Sequence, residues 1–588
     1  METSDRQIRY CGETRALLSA RKVLLRNPLS SRTTIIERGI ATALSACTTF
    51  ASAEEQSLRL AAALGIDQSA GTQVLKSVMD AGLFISIPES KKLFFRFASS
   101  ATPRRIECIA IPTRNRPEML RRCLGELQEN LAEFGRNPQV VVLDDSDSEP
   151  LQRANAEVMD AHARKWGTKL LHIGEEKRSH ITAQLARKTG ISSESVTFAL
   201  KRNPEYSVSM GAAQNVLLLA TIGRCTLFLD DDVRCRLASI PGSCDDVALR
   251  ESDIESWFFK DASEIEQCSF VREDLLGLHE RLMNLSPSDK TKDFVAAHET
   301  DSNTVFRRIE SGEARVAAAQ MGIVGDSGVD SPLTSYISGR ETWTRLSGSE
   351  GLYQAAIRNR LIMRGAKNFI VTHNNHTQTH CLALDNRDGL PPFLPIQRGQ
   401  DGLFGLLIFK CVPNSLFGLI PRAILHSPEQ AREFAPGAAV ASIEHFLLSE
   451  AMMALVSTCG AITGTTTGQR VASLGRSLAE LRCASEEEIQ DRLHSAIERL
   501  MLQLLQVVQA RLDQANDAYW RTDLEQIRDA ALARLNSRND LPISDLGNAP
   551  GKPYSGNGLR EIVLAFAELL QYWPTLVEAS SSLQFGLE

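Results

Sequence analysis

The stretch Thr226–Val233, TLFLDDDV, constrains this chain more than any other. Four residues of β-branched and apolar character run directly into three carboxylates, Asp230, Asp231 and Asp232. Three acids packed at a strand end repel one another and raise each other's pKa unless solvent or a cation compensates them. A divalent metal is a suitable compensator. Mg²⁺ and Mn²⁺ prefer oxygen ligands and commonly take only one or two carboxylates, leaving positions for water and substrate phosphates. The plain alternative is an acidic turn closing a buried strand, and the neighbouring motifs bear on the choice.

Upstream, residues 106–111 read as a strand followed by the turn PTRNRP at 112–117. An amphipathic helix then carries Met119, Leu120, Cys123, Leu124, Leu127 and Leu131 on one face. A second strand, 140–143, ends in Asp144-Asp145-Ser146, and a helix over 209–222 leads through Gly223-Arg224 into the acidic strand. Strand, helix and strand with polar residues at the strand ends predict an α/β fold. Its sheet is expected to be mainly parallel, flanked by helices, with ligands at its carboxyl edge.

IPTRNRPEMLRRCL, VVLDDSD and GAAQNVLLLATIGRCTLFLDDDV, in that order, resemble the nucleotide-sugar half of family 2-type glycosyltransferases with the GT-A fold, over residues 106–235. The resemblance implies a nucleoside diphosphate sugar donor, expected to be a UDP-sugar, and Mn²⁺ or Mg²⁺ as cofactor. It puts Pro112, Thr113 and Arg114 against the nucleobase and ribose and Asp144 or Asp145 against the uracil or ribose. Asn215, Asp230 and Asp231 fall with the donor and Asp232 with the metal. One departure is visible: the family's helix often has Arg or Lys before its Asn, whereas Gln214 precedes Asn215 here. The segment RGQDGLF at 398–404 resembles the family's acid followed by an apolar helix, which makes Asp401 the expected general base, with Gln400 in place of a preceding acid. A base there makes chemical sense, because an acceptor hydroxyl is a poor nucleophile until its proton is taken up. The bland role for Asp401 is a helix cap over 402–410, and one residue can fill both roles. His426 matches a histidine that completes the metal site in some members. His373, His376 and His380 have helical spacing, but Asn374, Asn375 and β-branched neighbours predict a loop without a zinc site.

With 588 residues the chain is too long for one core. Residues 1–98 read as a winged-helix-like domain. Ser52 and Glu55 form a capping box for a helix ending at Gly65, a second helix ends at Gly82, and 83–85 and 93–97 are short strands. The pattern loosely resembles PqqD-like peptide-recognition elements, which implies a ribosomally made peptide acceptor; a packing module, with a saccharide or lipid-linked acceptor, is the other reading. DNA binding is disfavoured because the helix at 70–81 carries only Lys76 as a base. Residues 106–430 form the expected transferase domain, with an insertion at 236–320 whose Trp257-Phe258-Phe259 lie either in core or along an acceptor groove. The pair of glycines in MGIVGD, 321–326, is expected to let backbone approach a ligand.

Residues 431–588 read as helical. The stripe Ile489, Leu493, Ile497, Leu500, Leu504 and Val508 is expected to pack on other helices or on a second copy of the chain. A net charge of -7 argues against general nucleic-acid binding, and the twelve cysteines lack a CxxC pair or regular framework, as in a reduced, cytoplasmic protein. The N-terminus has no apolar core of signal-peptide length, and the apolar run 402–425 is broken by Lys410, Pro413 and Asn414, so no transmembrane segment is expected. Two other classes stay open: a non-catalytic scaffold on the same fold, and a nucleotidyltransferase.

Overall fold

The computed structural model describes residues 7–27, 32–89, 104–206, 208–249, 254–285, 308, 314–514, 518–537, 543–546 and 556–583. The N-terminal part opens with β1 (Ile8–Tyr10) and an antiparallel meander of β2 (Glu13–Leu17), β3 (Lys22–Arg26) and β4 (Thr33–Glu37). Helices Ala53–Leu64 and Gln68–Asp80 follow, and β5 (Phe84–Ser86) pairs back on β1. The Ser52–Glu55 capping box forms, and Gly65 ends its helix in the left-handed conformation that lacks a Cβ penalty. The meander is an addition to the expected helices and ribbon. In KVLLR and TTIIE the alternation is too short and too charged to stand out. The expected strand at 93–97 lies outside the described residues.

Beyond residue 104, thirteen strands join into one mixed sheet. Its first part comprises β6 (Ile106–Thr113), β7 (Gln139–Asp144), β8 (Leu170–Ile173) and β9 (Cys225–Leu229), all parallel, in the order β8-β7-β6-β9. The strands read as unbroken apolar runs because both faces are covered. Val140 and Val142 pack with Leu120, Leu124 and Leu127 of the helix Pro117–Glu133. Val141 and Leu143 face the other layer, with Ile181, Leu185, Val216 and Leu217.

β10 (Val233–Ser239), β11 (Val247–Leu249), β12 (Ile254–Phe258), β13 (Phe270–Val271) and the first residues of β14 (Arg315–Asp326) belong to the same sheet, so the stretch 236–320 contributes strands to it. β15 (Leu361–Ala366), β16 (Phe369–Thr372), β17 (Cys381–Asp385) and β18 (Ser415–His426) complete it. Parallel pairing runs through β6–β9 and recurs where β14 meets β18 and β11 meets β16. β17 enters antiparallel beside β9 and β14, whereas β14 and β18 run parallel. The apolar run 402–425 becomes the helix Gln400–Cys411 and the wholly buried β18. Among the described residues no helix is long and apolar enough to cross a membrane.

The helices after residue 430 pack on this body. Ile489, Leu493 and Ile497 join the core against the sheet, and Leu504 and Val508 join a second cluster with Trp520 and Leu524. Leu500 departs from the expected stripe and stays 50% exposed.

Candidate active site

The order β8-β7-β6-β9 reverses direction at β6, so the crevice between the carboxyl ends of β6 and β9 is where an open α/β sheet leaves room for a ligand. Thr113 ends β6, and the three acids follow β9. Thr113 Oγ1 donates to Asp231 Oδ2 at 2.8 Å and ties the two strand ends together. Asp231 and Asp232 are buried, 5% and 6% exposed. Arg116 Nη1 donates to Asp231 Oδ1 and to Asp232 Oδ2, each at 3.1 Å.

Across the site, Val233 is the antiparallel partner of His426, which brings the last residue of β18 beside the acids. His426 Nε2 lies 3.2 Å from Asp232 Oδ1. Its Nδ1 lies 2.7 Å from the Asp326 backbone oxygen, which can only accept, so Nδ1 carries a proton and Nε2 is aimed at the acid. The Asp326 carboxylate is held by Arg432 through Nε at 2.9 Å and Nη2 at 2.7 Å.

Asp401 stands in the first turn of the helix Gln400–Cys411. The Thr379 amide donates to its Oδ2 at 3.2 Å, and the Thr379 hydroxyl donates to the carboxylate at 3.2 Å. That hydroxyl accepts in turn from Gln214 Nε2 at 3.0 Å. Gln214, the departure from the family pattern, thus braces the candidate base. The helix can lie this close to the 375–379 loop because residue 405 is glycine: a Cβ there would meet the Asn375 carbonyl.

The electrostatics differ from acid to acid. Burial pushes Asp230 well above the usual carboxylate range, and the charges of Asp232 and Asp401 add to it. Burial and Asp232 raise Asp231 to about 6 against the pull of Arg116 and Thr113. Burial also opposes the charge on Asp232, but the hydrogen bond and charge of His426 and the nearby Arg116 hold it below its usual range. His426 moves the other way: burial disfavours its charge, and Asp232 and the Asp326 carbonyl more than offset this and raise it. Burial pushes Asp401 up to about 6, resisted by Thr379 and Gln214.

The remaining expected residues are spread along the edge. Arg114 pairs with Asp147, Nη2 to Oδ1 at 3.0 Å, and Arg202 reaches the same carboxylate. Pro112 is half-buried. Asp145 accepts from the buried Arg178. Asp144 is turned inward, 2% exposed, and its Oδ1 accepts from the Ser146 amide and from Asn155, each at 3.0 Å. Asn215 is not brought to the site. It is fully buried, and it donates to the carbonyls of Ala199 and Phe393 at 3.0 and 3.1 Å and accepts from the Phe393 amide at 2.7 Å. The glycines of MGIVGD also serve packing: a Cβ at Gly322 or Gly325 would meet the carbonyls of Arg364 or His426 on adjacent strands. His373–His380 lies in irregular backbone, and burial together with His426 lowers His380 to about 3.

Sequence reasoning missed Arg116, Thr379 and Arg178. Arg116 is visible in the PTRNRP turn as a second cation two residues from Arg114, whereas Thr379 sits in a loop with no local signal. Trp257 and Phe259 line a cavity of about 660 Å³ with Ser239 and Arg422. Ser239 and Arg422 are cross-strand partners at the far end of the β10–β18 ladder from Val233 and His426. Phe258 is buried.

No protein-family model matches the sequence, and no curated protein matches it. Two solved structures are similar over much of the chain. TarS 1–349 of S. aureus is 13% identical, with 76% of this chain and 98% of that one covered and a TM-score of 0.24. The mannosyltransferase PcManGT from Pyrobaculum calidifontis, in complex with GDP-Man and Mn²⁺, is 10% identical, with 76% and 94% covered and a TM-score of 0.23. Likenesses this low carry no weight for function, which rests on the residues of the site.

Proposed function

We propose that the protein is a metal-dependent glycosyltransferase. It moves a sugar from a nucleoside diphosphate sugar, a UDP-sugar by its motifs, to an acceptor hydroxyl by inverting displacement. The observation that carries this reading is that the acidic strand end, at the switch point of the sheet, meets both candidate groups: His426 stands 3.2 Å from Asp232, and the Asp230 amide donates to the carbonyl of His380, the neighbour of Thr379, which holds Asp401. The donor set fits a divalent ion. A carboxylate and an imidazole 3.2 Å apart suit Mn²⁺ better than Mg²⁺, and two protein ligands leave positions for diphosphate and water. A bound ion there supplies positive charge to the departing nucleoside diphosphate.

The chain's own residues do the rest. The Asp326 carbonyl fixes the His426 tautomer so that Nε2 faces inward. Thr113, Arg114 and Asp145, at the ends of β6 and β7, frame the nucleoside. Asp401 takes the acceptor proton. With its pKa pushed up to about 6 it is mostly ionised near neutrality, yet a stronger base than an ordinary aspartate. Thr379 and Gln214 hold the carboxylate in one orientation.

For the acceptor we propose a peptide held by the N-terminal unit. Among the described residues β4 pairs only with β3, and Ile35 on it is 56% exposed. An extended peptide adds to such an edge through main-chain hydrogen bonds. Transfer to candidate peptides, assayed beside hydrolysis of the donor, tests both parts. Asp401→Asn should lower both reactions by about 10²–10⁴-fold while the donor still binds. Ile35→Asp should lower peptide transfer alone. Retained turnover in Asp401→Asn would reject the base, and unchanged peptide transfer in Ile35→Asp would reject the edge.

A further inference from the structure

The floor of the crevice already contains a cation, and it belongs to the protein. Arg116 Nη1 bridges Asp231 Oδ1 and Asp232 Oδ2 at 3.1 Å each, while His426 Nε2 faces the other oxygen of Asp232. The acids are under a tenth exposed, but the Arg116 side chain is 44% exposed and has solvent to move into. Thr113 keeps its own bond to Asp231 Oδ2, so the acid remains anchored when the guanidinium leaves. A divalent ion held by Asp232 would be repelled by a guanidinium on the same carboxylate, at close range and with the acid largely out of water. An arriving diphosphate changes that balance, because its oxygens offer the guanidinium a bidentate partner of the right charge.

We infer that Arg116 is a resident counter-cation that weakens the site's hold on a lone divalent ion and couples metal binding to a nucleoside diphosphate, onto which Arg116 moves. This rests on the reading of Asp232 and His426 as the metal pair. Arg116 is a coupling residue in this scheme: it touches the acids when no donor is bound and the phosphates when one is. By linkage, removing it alters metal affinity most where no nucleotide is present.

The test is calorimetric titration of Mn²⁺ into the full chain, at constant pH, with and without saturating UDP, on the wild type, Arg116→Gln and Arg116→Lys. Arg116→Gln should bind Mn²⁺ alone about fivefold or more tighter than the wild type, while UDP binding in the presence of Mn²⁺ weakens by a similar factor. Arg116→Lys keeps the charge and should stay near the wild type in Mn²⁺ affinity. Mn²⁺ affinity of Arg116→Gln equal to or below that of the wild type would overturn the inference. If the wild type binds no Mn²⁺ even with UDP present, the metal pair itself falls, and the inference with it.

Discussion

His426 Nε2 stands 3.2 Å from Asp232 Oδ1 because Val233, the residue after that acid, is the cross-strand partner of His426. One register therefore assembles the candidate metal pair from a strand end and a strand terminus far apart in the sequence. Loss of residues that merely orient a ligand typically costs about 10–100-fold in metal affinity, so loss of a ligand itself should cost at least that. His426→Ala is expected to weaken Mn²⁺ binding, measured with UDP present, by about tenfold or more, and removing the metal with EDTA is expected to stop transfer. An unchanged Mn²⁺ affinity would assign His426 to packing.

Asp401 has the role most open to kinetics. General bases contribute about 10²–10⁴-fold, so Asp401→Asn should lower transfer by about that factor while UDP affinity stays within about twofold of the wild type. Equal losses of binding and turnover would show a role in holding the donor.

The same carboxyl predicts a pH profile. It acts as a base only when ionised and its pKa lies at about 6, so kcat should rise with pH through that value and level off above it. Stability should run the opposite way. Because the folded-state pKa lies above the unfolded one, the folded chain binds the proton more tightly; this contribution is full below the unfolded pKa and is lost as pH rises through about 6. Asp401→Asn should therefore raise Tm at neutral pH and have little effect near pH 4. A flat kcat profile between pH 5 and 7 would count against Asp401.

Gly405 controls how closely the helix Gln400–Cys411 approaches the 375–379 loop that holds Asp401. A Cβ at this position would meet the Asn375 carbonyl and lie 2.7 Å from Thr377 Oγ1, and Thr377 in turn donates to the Asp401 carbonyl oxygen. Gly405→Ala should lower kcat severalfold or more with UDP binding retained. If kcat is unmoved, the clamp on Asp401 has no catalytic consequence.

Asn215 gives a stability test separate from catalysis. Its three hydrogen bonds fix the backbone at Ala199 and Phe393 in a fully buried place. Asn215→Leu leaves those backbone groups unpaired at about 1–3 kcal/mol for each group stranded, so thermal unfolding should show a Tm lowered by several degrees. A Tm equal to that of the wild type would mean that the loop re-pairs elsewhere.

Much of the β6–β9 architecture is legible in the sequence because its strands are buried on both faces and announce themselves as unbroken apolar runs. The acids at their ends are equally legible, because runs of carboxylates are costly without a compensating partner. Asp401 is readable as a helix-start acid, and the structure adds only its clamp. Residues used across the sheet are not legible. Asn215 looks like a ligand contact because a polar residue in an apolar helix has two uses, binding or bracing, and only the position of Phe393 decides between them. The antiparallel entry of β17 between β9 and β14 leaves no local trace, so neither Thr379 beside Asp401 nor the packing role of Gly322 and Gly325 can be foreseen. Strands β2–β4 escape notice because short runs interrupted by charge lack the periodicity that longer strands display.

Titration of nucleoside diphosphates into the full chain, with and without Mn²⁺, on the wild type and Asp232→Ala, decides whether this is a nucleotide-sugar enzyme. The expected result is tight binding of one diphosphate, UDP by the motifs, that requires Mn²⁺ and disappears in Asp232→Ala. Absence of binding to every nucleoside diphosphate, with and without the metal, would contradict the enzyme reading and leave a scaffold built on the same sheet.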